Sequence, residues 1–241
     1  MINIGDNNTI INTKINGGID MEEGYTMDFN NKETLEHMKA EILNQNLGNS
    51  LYFAKISETA KIPTKDDENM GYDIYADFYD RYMLINPHET KMIPTGICSA
   101  CNEDYAIVLK ERGSTGTKGI AQRCGVIDSG YRNEWFVPLT NTTDDKLVII
   151  KQETLKMIKD YRHKPMKRLI EEYGENFDMF TWEIEKIEED IKDAKTYPYE
   201  KAIAQAVVLP VPKMNVQEIP LEVLKSIPSK RGEGCLGSSG K

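Results

Sequence analysis

The chain has 241 residues, 29% of them charged, and a formal net charge of −9 at pH 7. That length allows one large domain or one domain with additions and is ample to bury a core, while the acidic balance leaves no basic stripe to hold a nucleic-acid backbone. No run of eighteen apolar residues reads as a membrane span, and the first residues lack the charged-then-apolar pattern of a leader, so the expected setting is cytoplasmic.

Residues 1–50 read as an N-terminal extension. The first thirty are rich in Asn, Gly and Asp and carry too little regular apolar surface to fold alone. Asn31 is a candidate N-cap for a short helix with Leu35, Met38 and Ile42 on one face, ending near Gly48. From Leu51 the texture changes. Runs of strand composition alternate with turn signals at Leu51–Ser57, Tyr72–Phe78, Thr90–Ile97, Tyr105–Leu109, Val126–Asp128, Trp135–Asn141, Lys146–Ile150 and Ala202–Pro210. This spacing predicts an all-β sandwich or barrel made from residues 51–151 and 196–230.

A helical insertion, 152–195, interrupts the β texture. Leu155, Ile158 and Tyr161 mark one helical face, Pro165 starts a second helix, and Gly174 closes it. Phe177, Phe180, Ile184, Ile187 and Ile191 then recur at intervals of three and four. An apolar seam of this kind must be buried, either by folding back on the preceding helix or by docking a partner protein. Farther on, Leu221, Val223 and Leu224 suit a last helical turn. Residues 231–241 form a glycine-dense segment expected to be mobile, in which Arg231, Ser238 and Ser239 stand among backbone amides suited to wrapping a phosphate. Gly232, Gly234 and Gly237 match GxGxxG, but a dinucleotide fingerprint must follow a strand and open a helix, and that context is missing here.

Four cysteines are scattered. Cys98 and Cys101 have CxxC spacing without a second pair or a nearby His pair, so all four read as buried or half-buried free thiols. The three histidines stand alone, which disfavours a His-centred triad. Chemistry concentrates instead between Glu111 and Asn141. A glycine-rich turn with Arg112 at its mouth suits a phosphate. Asp128, at the end of a strand-like run, suits a base, and Tyr131 after the Ser129-Gly130 turn suits a flat ring or a sugar. Tyr131 to Leu139 is expected to run back as the second arm of a hairpin.

Five stretches, in order, carry a family resemblance: GYDIYA at 71–76, ERGSTG at 111–116, GVIDSGYRNE at 125–134, AIAQ at 202–205 and RGEGCLGSSG at 231–240. They resemble the five motifs of the homotrimeric dUTPase family, and the helical insertion between the third and fourth is of the phage type. The resemblance implies a homotrimer of jelly-roll-like β-barrel subunits sharing their active sites. It also implies Mg2+-dependent hydrolysis of dUTP to dUMP and pyrophosphate by the activity of a dUTP diphosphatase. On the matching positions, Asp128 would activate the water that attacks the α-phosphorus. Tyr131 would lie against the deoxyribose and exclude a 2′-hydroxyl, and Gly125, Val126 and Ile127 would offer backbone to the uracil edge. Arg112, Gly113, Ser114, Gln205 and Arg231 would contact phosphates, while Leu236, Gly237, Ser238 and Ser239 would cover the nucleotide. Asp73 would support the metal through water, the substrate phosphates supplying the other ligands.

Some positions depart from the family pattern. Gly113 takes the place of a serine, Asn133 stands where glycine is common, an exchange tolerable because Asn enters the left-handed region more readily than most residues, and Cys235-Leu236 replaces a Gly-Phe pair whose ring would stack on uracil. Two alternatives remain. The fold could also act as a regulatory binding protein through the 152–195 insertion, or it could serve a dCTP deaminase, which would need a catalytic Glu in place of the Asp128–Tyr131 arrangement.

Overall fold

A computed structural model describes residues 31–44, 47–174, 177 and 181–230. The expectations for the first thirty residues, for Phe180, and for Arg231, Cys235, Leu236, Gly237, Ser238 and Ser239 lie outside the described residues. The chain divides into two compact units, Met1–Val211 and Pro212–Lys241.

The first unit opens with helix α1 (Lys32–Asn44), capped as its sequence predicts: Asn31 Oδ1 accepts the Glu33 amide at 2.8 Å. Ten strands then run to the insertion: β1 (Leu51–Lys55), β2 (Tyr72–Ile74), β3 (Tyr82–Ile85), β4 (Thr90–Pro94), β5 (Ile97–Cys101), β6 (Tyr105–Lys110), β7 (Ile120–Gln122), β8 (Val126–Ile127), β9 (Phe136–Asn141) and β10 (Leu147–Ile150). A single turn of helix, α2 (Gly113–Gly116), separates β6 from β7. Helices α3 (Gln152–His163), α4 (Met166–Tyr173) and α5 (Thr181–Ile191) form the insertion, followed by β11 (Lys195–Pro198) and β12 (Ala204–Pro210). The strands make four small sheets, ordered β1-β5, β11-β10-β3, β2-β12-β6-β8 and β4-β9-β7. Their pairs are antiparallel except β10 with β11.

Three strands escape the sequence pattern: β3, β7 and β11 have only three or four residues each, too few to show a period. The run predicted as Thr90–Ile97 is two strands, broken at Gly96. This residue takes φ +65°, and an added Cβ would stand 2.2 Å from Asp77 Oδ2 and 2.7 Å from the Ala60 Cβ. Only glycine permits that corner. The expected hairpin around Ser129-Gly130 is also corrected. Its turn forms, with the Tyr131 amide on the Asp128 carbonyl at 3.0 Å. The flanking strands do not pair with each other, because β8 joins β6 while β9 lies between β4 and β7. Residues 128–135 are therefore a loop that crosses between two sheets.

Strand β10 explains how the insertion is carried. All four residues of Leu147-Val148-Ile149-Ile150 are buried, a run apolar on both faces. Because side chains alternate along a strand, Leu147 and Ile149 enter the main core with Ile74, Ile85 and Trp135, while Val148 and Ile150 point the other way. On that second face they meet Met157, Ile158, Leu169, Phe177, Ile184 and Ile187, with Tyr82 and Leu84 of β3 alongside. Pro165 is the N-cap of α4, and Gly174 at φ +102° ends it. The α5 seam thus folds back within the chain, with Ile184 and Ile187 0% and 1% exposed and Ile191 partly buried against the same cluster. One face residue is reassigned: Leu155 points outward at 37% exposure, and Thr154 and Met157 take the buried positions of α3.

In the second unit, Leu221–Ser226 forms the expected short helix, α6, following Pro220.

Candidate active site

Neighbouring strands place the polar residues of the first, second and fourth motifs side by side. Across the β2–β12 and β12–β6 ladders, Gln205 stands opposite both Asp73 and Lys110. One residue past Lys110 the chain turns through Glu111 to Arg112. The Arg112 guanidinium grips Asp73 in a fork, Nε to Oδ1 at 3.0 Å and Nη2 to Oδ2 at 3.1 Å. Nη1 adds a bond to the Ala202 carbonyl at 3.3 Å. A planar two-point pair of this kind fixes direction as well as charge. Gln205 Nε2 donates to the Glu111 carbonyl at 2.8 Å. Gly71 leaves room for that amide, since a Cβ there would meet Gln205 Oε1 at 2.8 Å.

The single turn α2 is closed by Thr115, which is buried. Its hydroxyl lies 3.1 Å from the Arg112 amide and 3.0 Å from the Arg112 carbonyl. Ser114 and Gly113 are exposed on this turn, and a Cβ on Gly113 would meet nothing within 4 Å. Glycine at 113 therefore removes a side chain from open space without any packing reason.

Beside this cluster lies an open cleft of about 720 Å3, lined by Val108, Leu109, Lys110, Glu111, Gln122, Arg123, Cys124, Gly125, Val126 and Gln205. Gly125 is required by close approach: its carbonyl accepts the Leu109 amide at 2.6 Å, and a Cβ would fall 2.6 Å from the Leu109 carbonyl oxygen. Ile127 faces inward, 8% exposed, so it can offer only backbone to a ligand. Cys124 corrects the thiol expectation, being exposed on the cleft wall, whereas Cys98 is half-buried and Cys101 buried. Burial pushes the Cys101 thiol above its usual range. Cys124 also has a left-handed φ of +47°, whereas Asn133 is not among the residues of positive φ.

Asp73, Arg112 and Gln205 are thus brought together, and Gly125 and Val126 share the cleft with Gln205. Asp128 and Tyr131 lie beyond β8 and are not on the cleft wall. Asp128 is exposed, and its carboxylate makes no bond or ion pair among the described residues. Tyr131 is 38% exposed and donates from its hydroxyl to the Glu134 carbonyl at 3.0 Å. Glu111, Gln122, Arg123, Arg132 and Glu134 escaped the sequence reading. All lie within or next to the quoted motifs, and only adjacency could have flagged them.

Among the described residues no three His, Cys, Asp or Glu side chains converge as a metal cage. That is compatible with Mg2+, which is commonly held by one or two carboxylates together with substrate phosphates. No helix among the described residues is long and apolar enough to cross a membrane.

The strand-built unit thus sets an arginine–carboxylate cluster and a close-packed glycine beside an open cleft. A sequence model of the dUTPase family matches residues 58–155. A deoxyuridine 5′-triphosphate nucleotidohydrolase of Leptospira interrogans is 29% identical over 103 residues, spanning 41% of this chain and 70% of that protein. The enzyme of the same name from Orientia tsutsugamushi strain Ikeda is 25% identical over 130 residues, 52% of this chain and 78% of its own length. The structure of the Staphylococcus bacteriophage 80alpha dUTPase with dUpNHpp covers 80% of this chain and 99% of its own, with a TM-score of 0.53 at 17% identity, a likeness of fold. Residues 58–155 thus match the dUTPase family, and the fold is the jelly roll seen in the dUTPase structures.

Proposed function

We propose that the protein hydrolyses dUTP to dUMP and pyrophosphate, acting as a dUTP diphosphatase. The observation that carries this reading is the convergence of the first, second and fourth motifs on the Asp73–Arg112–Gln205 cluster beside the backbone of Gly125 and Val126. In this reading Asp128 takes a proton from water as its oxygen bonds to the α-phosphorus. The bridge to the β-phosphorus breaks, and pyrophosphate leaves with the electron pair. A base in this role must reach a water, and the Asp128 carboxylate is exposed and free of bonds to the described residues. Tyr131 would meet the sugar with its ring, its hydroxyl being held by Glu134. Gly125, Val126 and Ile127 would present backbone to the base. Arg112, Gly113, Ser114 and Gln205 would receive phosphates, as would Arg231 and Ser238–Ser239, with Leu236 and Gly237 over the base.

Mg2+ bound to the triphosphate would neutralise phosphate charge, with Asp73 the carboxylate placed to hold it through water. Arg112 keeps Asp73 oriented for that task and lends the cluster positive charge. Asp128 and Tyr131 are not among the residues lining the cleft, which accords with active sites completed between the chains of a homotrimer.

The decisive assay measures pyrophosphate release from dUTP, UTP, dTTP and dCTP with and without Mg2+, alongside light scattering for the trimer. Selective turnover of dUTP that needs Mg2+ is expected. Ammonia from dCTP without pyrophosphate would instead assign a deaminase.

A further inference from the structure

The loop that carries Asp128 and Tyr131 is attached to the molecule in two unequal places. Its base, Glu134-Trp135, is strapped to the corner between β4 and β5. Glu134 Oε1 accepts the amides of Thr95 at 3.2 Å and Gly96 at 2.8 Å. The Trp135 amide donates to the Ile97 carbonyl at 2.8 Å, and Thr95 Oγ1 donates to the Trp135 carbonyl at 2.6 Å. The indole itself is fully buried against Phe53. The tip has no such strapping. Among the described residues the Tyr131 hydroxyl reaches the Glu134 carbonyl at the loop's own base, and Arg132 is the side chain that bonds the tip to another strand. Nη1 of Arg132 lies 3.3 Å from the Ser99 carbonyl on β5, 3.0 Å from the Tyr131 carbonyl, and within bonding distance of the Ser129 carbonyl.

We propose that Arg132 is a positioning residue, whose guanidinium ties the Asp128–Tyr131 tip to β5 and thereby sets both the water-activating geometry and the discrimination between deoxyribose and ribose. The inference rests on the proposed hydrolysis of dUTP. Its physical basis is that one guanidinium nitrogen, sharing its two N–H groups among carbonyls of the loop and of β5, holds the separation of the two segments. Asp128 and Tyr131 flank the bonded Ser129 carbonyl, so loss of the clamp frees both together. Glu134 sets the floor on which this clamp acts, and one oxygen performs its role, so a Gln amide oxygen can replace it.

The test compares the full-length wild type with Arg132→Met, Arg132→Lys and Glu134→Gln. Arg132 is exposed, so its variants keep the fold, which thermal melting verifies. For Arg132→Met the expected loss in kcat on dUTP is about 10- to 100-fold. The dUTP-over-UTP ratio of kcat/KM should shrink, and amide exchange at Ser129–Tyr131 should quicken at unchanged melting temperature. Arg132→Lys should fall between, and Glu134→Gln should stay near the wild type. An unchanged substrate ratio, or losses that merely follow melting temperature, would overturn the proposal. Should the wild type leave dUTP intact, the functional reading falls by itself. Exchange at Ser129–Tyr131, measured without nucleotide, then decides the clamp: faster in Arg132→Met upholds it, and unchanged removes it.

Discussion

The two faces of β10 separate this molecule into layers with different duties. On one face Leu147 and Ile149 join the core that holds the strands bearing Asp73 and Gln205 and the strand leading to Arg112. On the other, Val148 and Ile150 carry the three inserted helices. Each layer is tied to its surroundings by a tyrosine bonded to a carboxylate. On the core side Tyr199 Oη donates to Asp77 Oδ1 at 3.2 Å, and Asp77 also receives the hydroxyls of Ser57 and Thr59. On the helical side Tyr82 Oη donates to Asp190 at 2.5 Å, supported by the Arg81–Glu183 pair at 3.2 Å. The difference lies in what each layer leaves available. The core side presents polar groups to a cleft, whereas the helical side spends its apolar seam on its own strand. The described seam residues Phe177, Ile184 and Ile187 are thus consumed within the chain, and the insertion reads as a layer fastened to the strand core.

The largest effect should fall on chemistry alone. Asp128→Asn is expected to lower kcat on dUTP by about 10²–10⁴-fold, while binding of a non-hydrolysable analogue and the melting temperature hold. Retained turnover would take Asp128 out of the base role. Next come the two faces of one strand. Ile149→Ala and Ile150→Ala should each cost about 2–5 kcal/mol, with different consequences. The first should lower the global urea midpoint and activity together. The second should open the helical layer, seen as proteolysis between α4 and α5, with kcat per folded molecule preserved. Equal loss of activity in both would erase the distinction between layers. Removing the insertion outright would bare Val148, Ile150, Tyr82 and Leu84, so a soluble deletion also needs polar residues at 148 and 150.

Smaller effects separate the two ties. Tyr82→Phe and Tyr199→Phe should each cost about 1.5–3 kcal/mol, as expected for a hydrogen bond to a charged acceptor. Burial, then Asp190, raises the Tyr82 hydroxyl to about 12; burial, then the Asp77 charge, does the same for Tyr199. Because both folded values are raised, this stability is complete below pH 10 and is lost as pH climbs toward 12. Urea titrations should show the wild type losing its advantage over each Phe variant across that window. The smallest effect belongs to the exposed network on α3 and α4. Hydrogen bonds from Tyr173, Lys156 and Lys164 hold Asp160 well below the usual carboxylate range, and Lys156 and Lys164 lower Glu172. Both shifts are downward, so their contribution is present above the ordinary carboxylate range and fades as pH falls through the folded values. Salt should blunt it, as solvent-exposed pairs are screened. A large acid effect insensitive to salt would place the pH dependence elsewhere.

Features written into a few consecutive residues were legible before any coordinates. Asn31 as a cap, Pro165 and Gly174 as helix limits, and the turn at Ser129-Gly130 all form as read, because each depends on local backbone preference. The ordered motifs likewise pointed to the dUTPase resemblance that the match over residues 58–155 supports. Pairing was not legible. The strands on either side of the Asp128 loop belong to different sheets, and which strand accepts β8 depends on Ile107 meeting Ile127, a contact between segments twenty residues apart.

By itself, then, the sequence determined the strand-rich class, the inserted helices and the resemblance carried by the ordered motifs. Those are properties of residue type and short-range order. Only the tertiary structure decided that Arg112 forks onto Asp73, that the α5 seam is consumed by the far face of β10, and that Arg132 pins the loop of Asp128. Each of these joins segments far apart in the chain, where geometry and burial, rather than composition, select the partner.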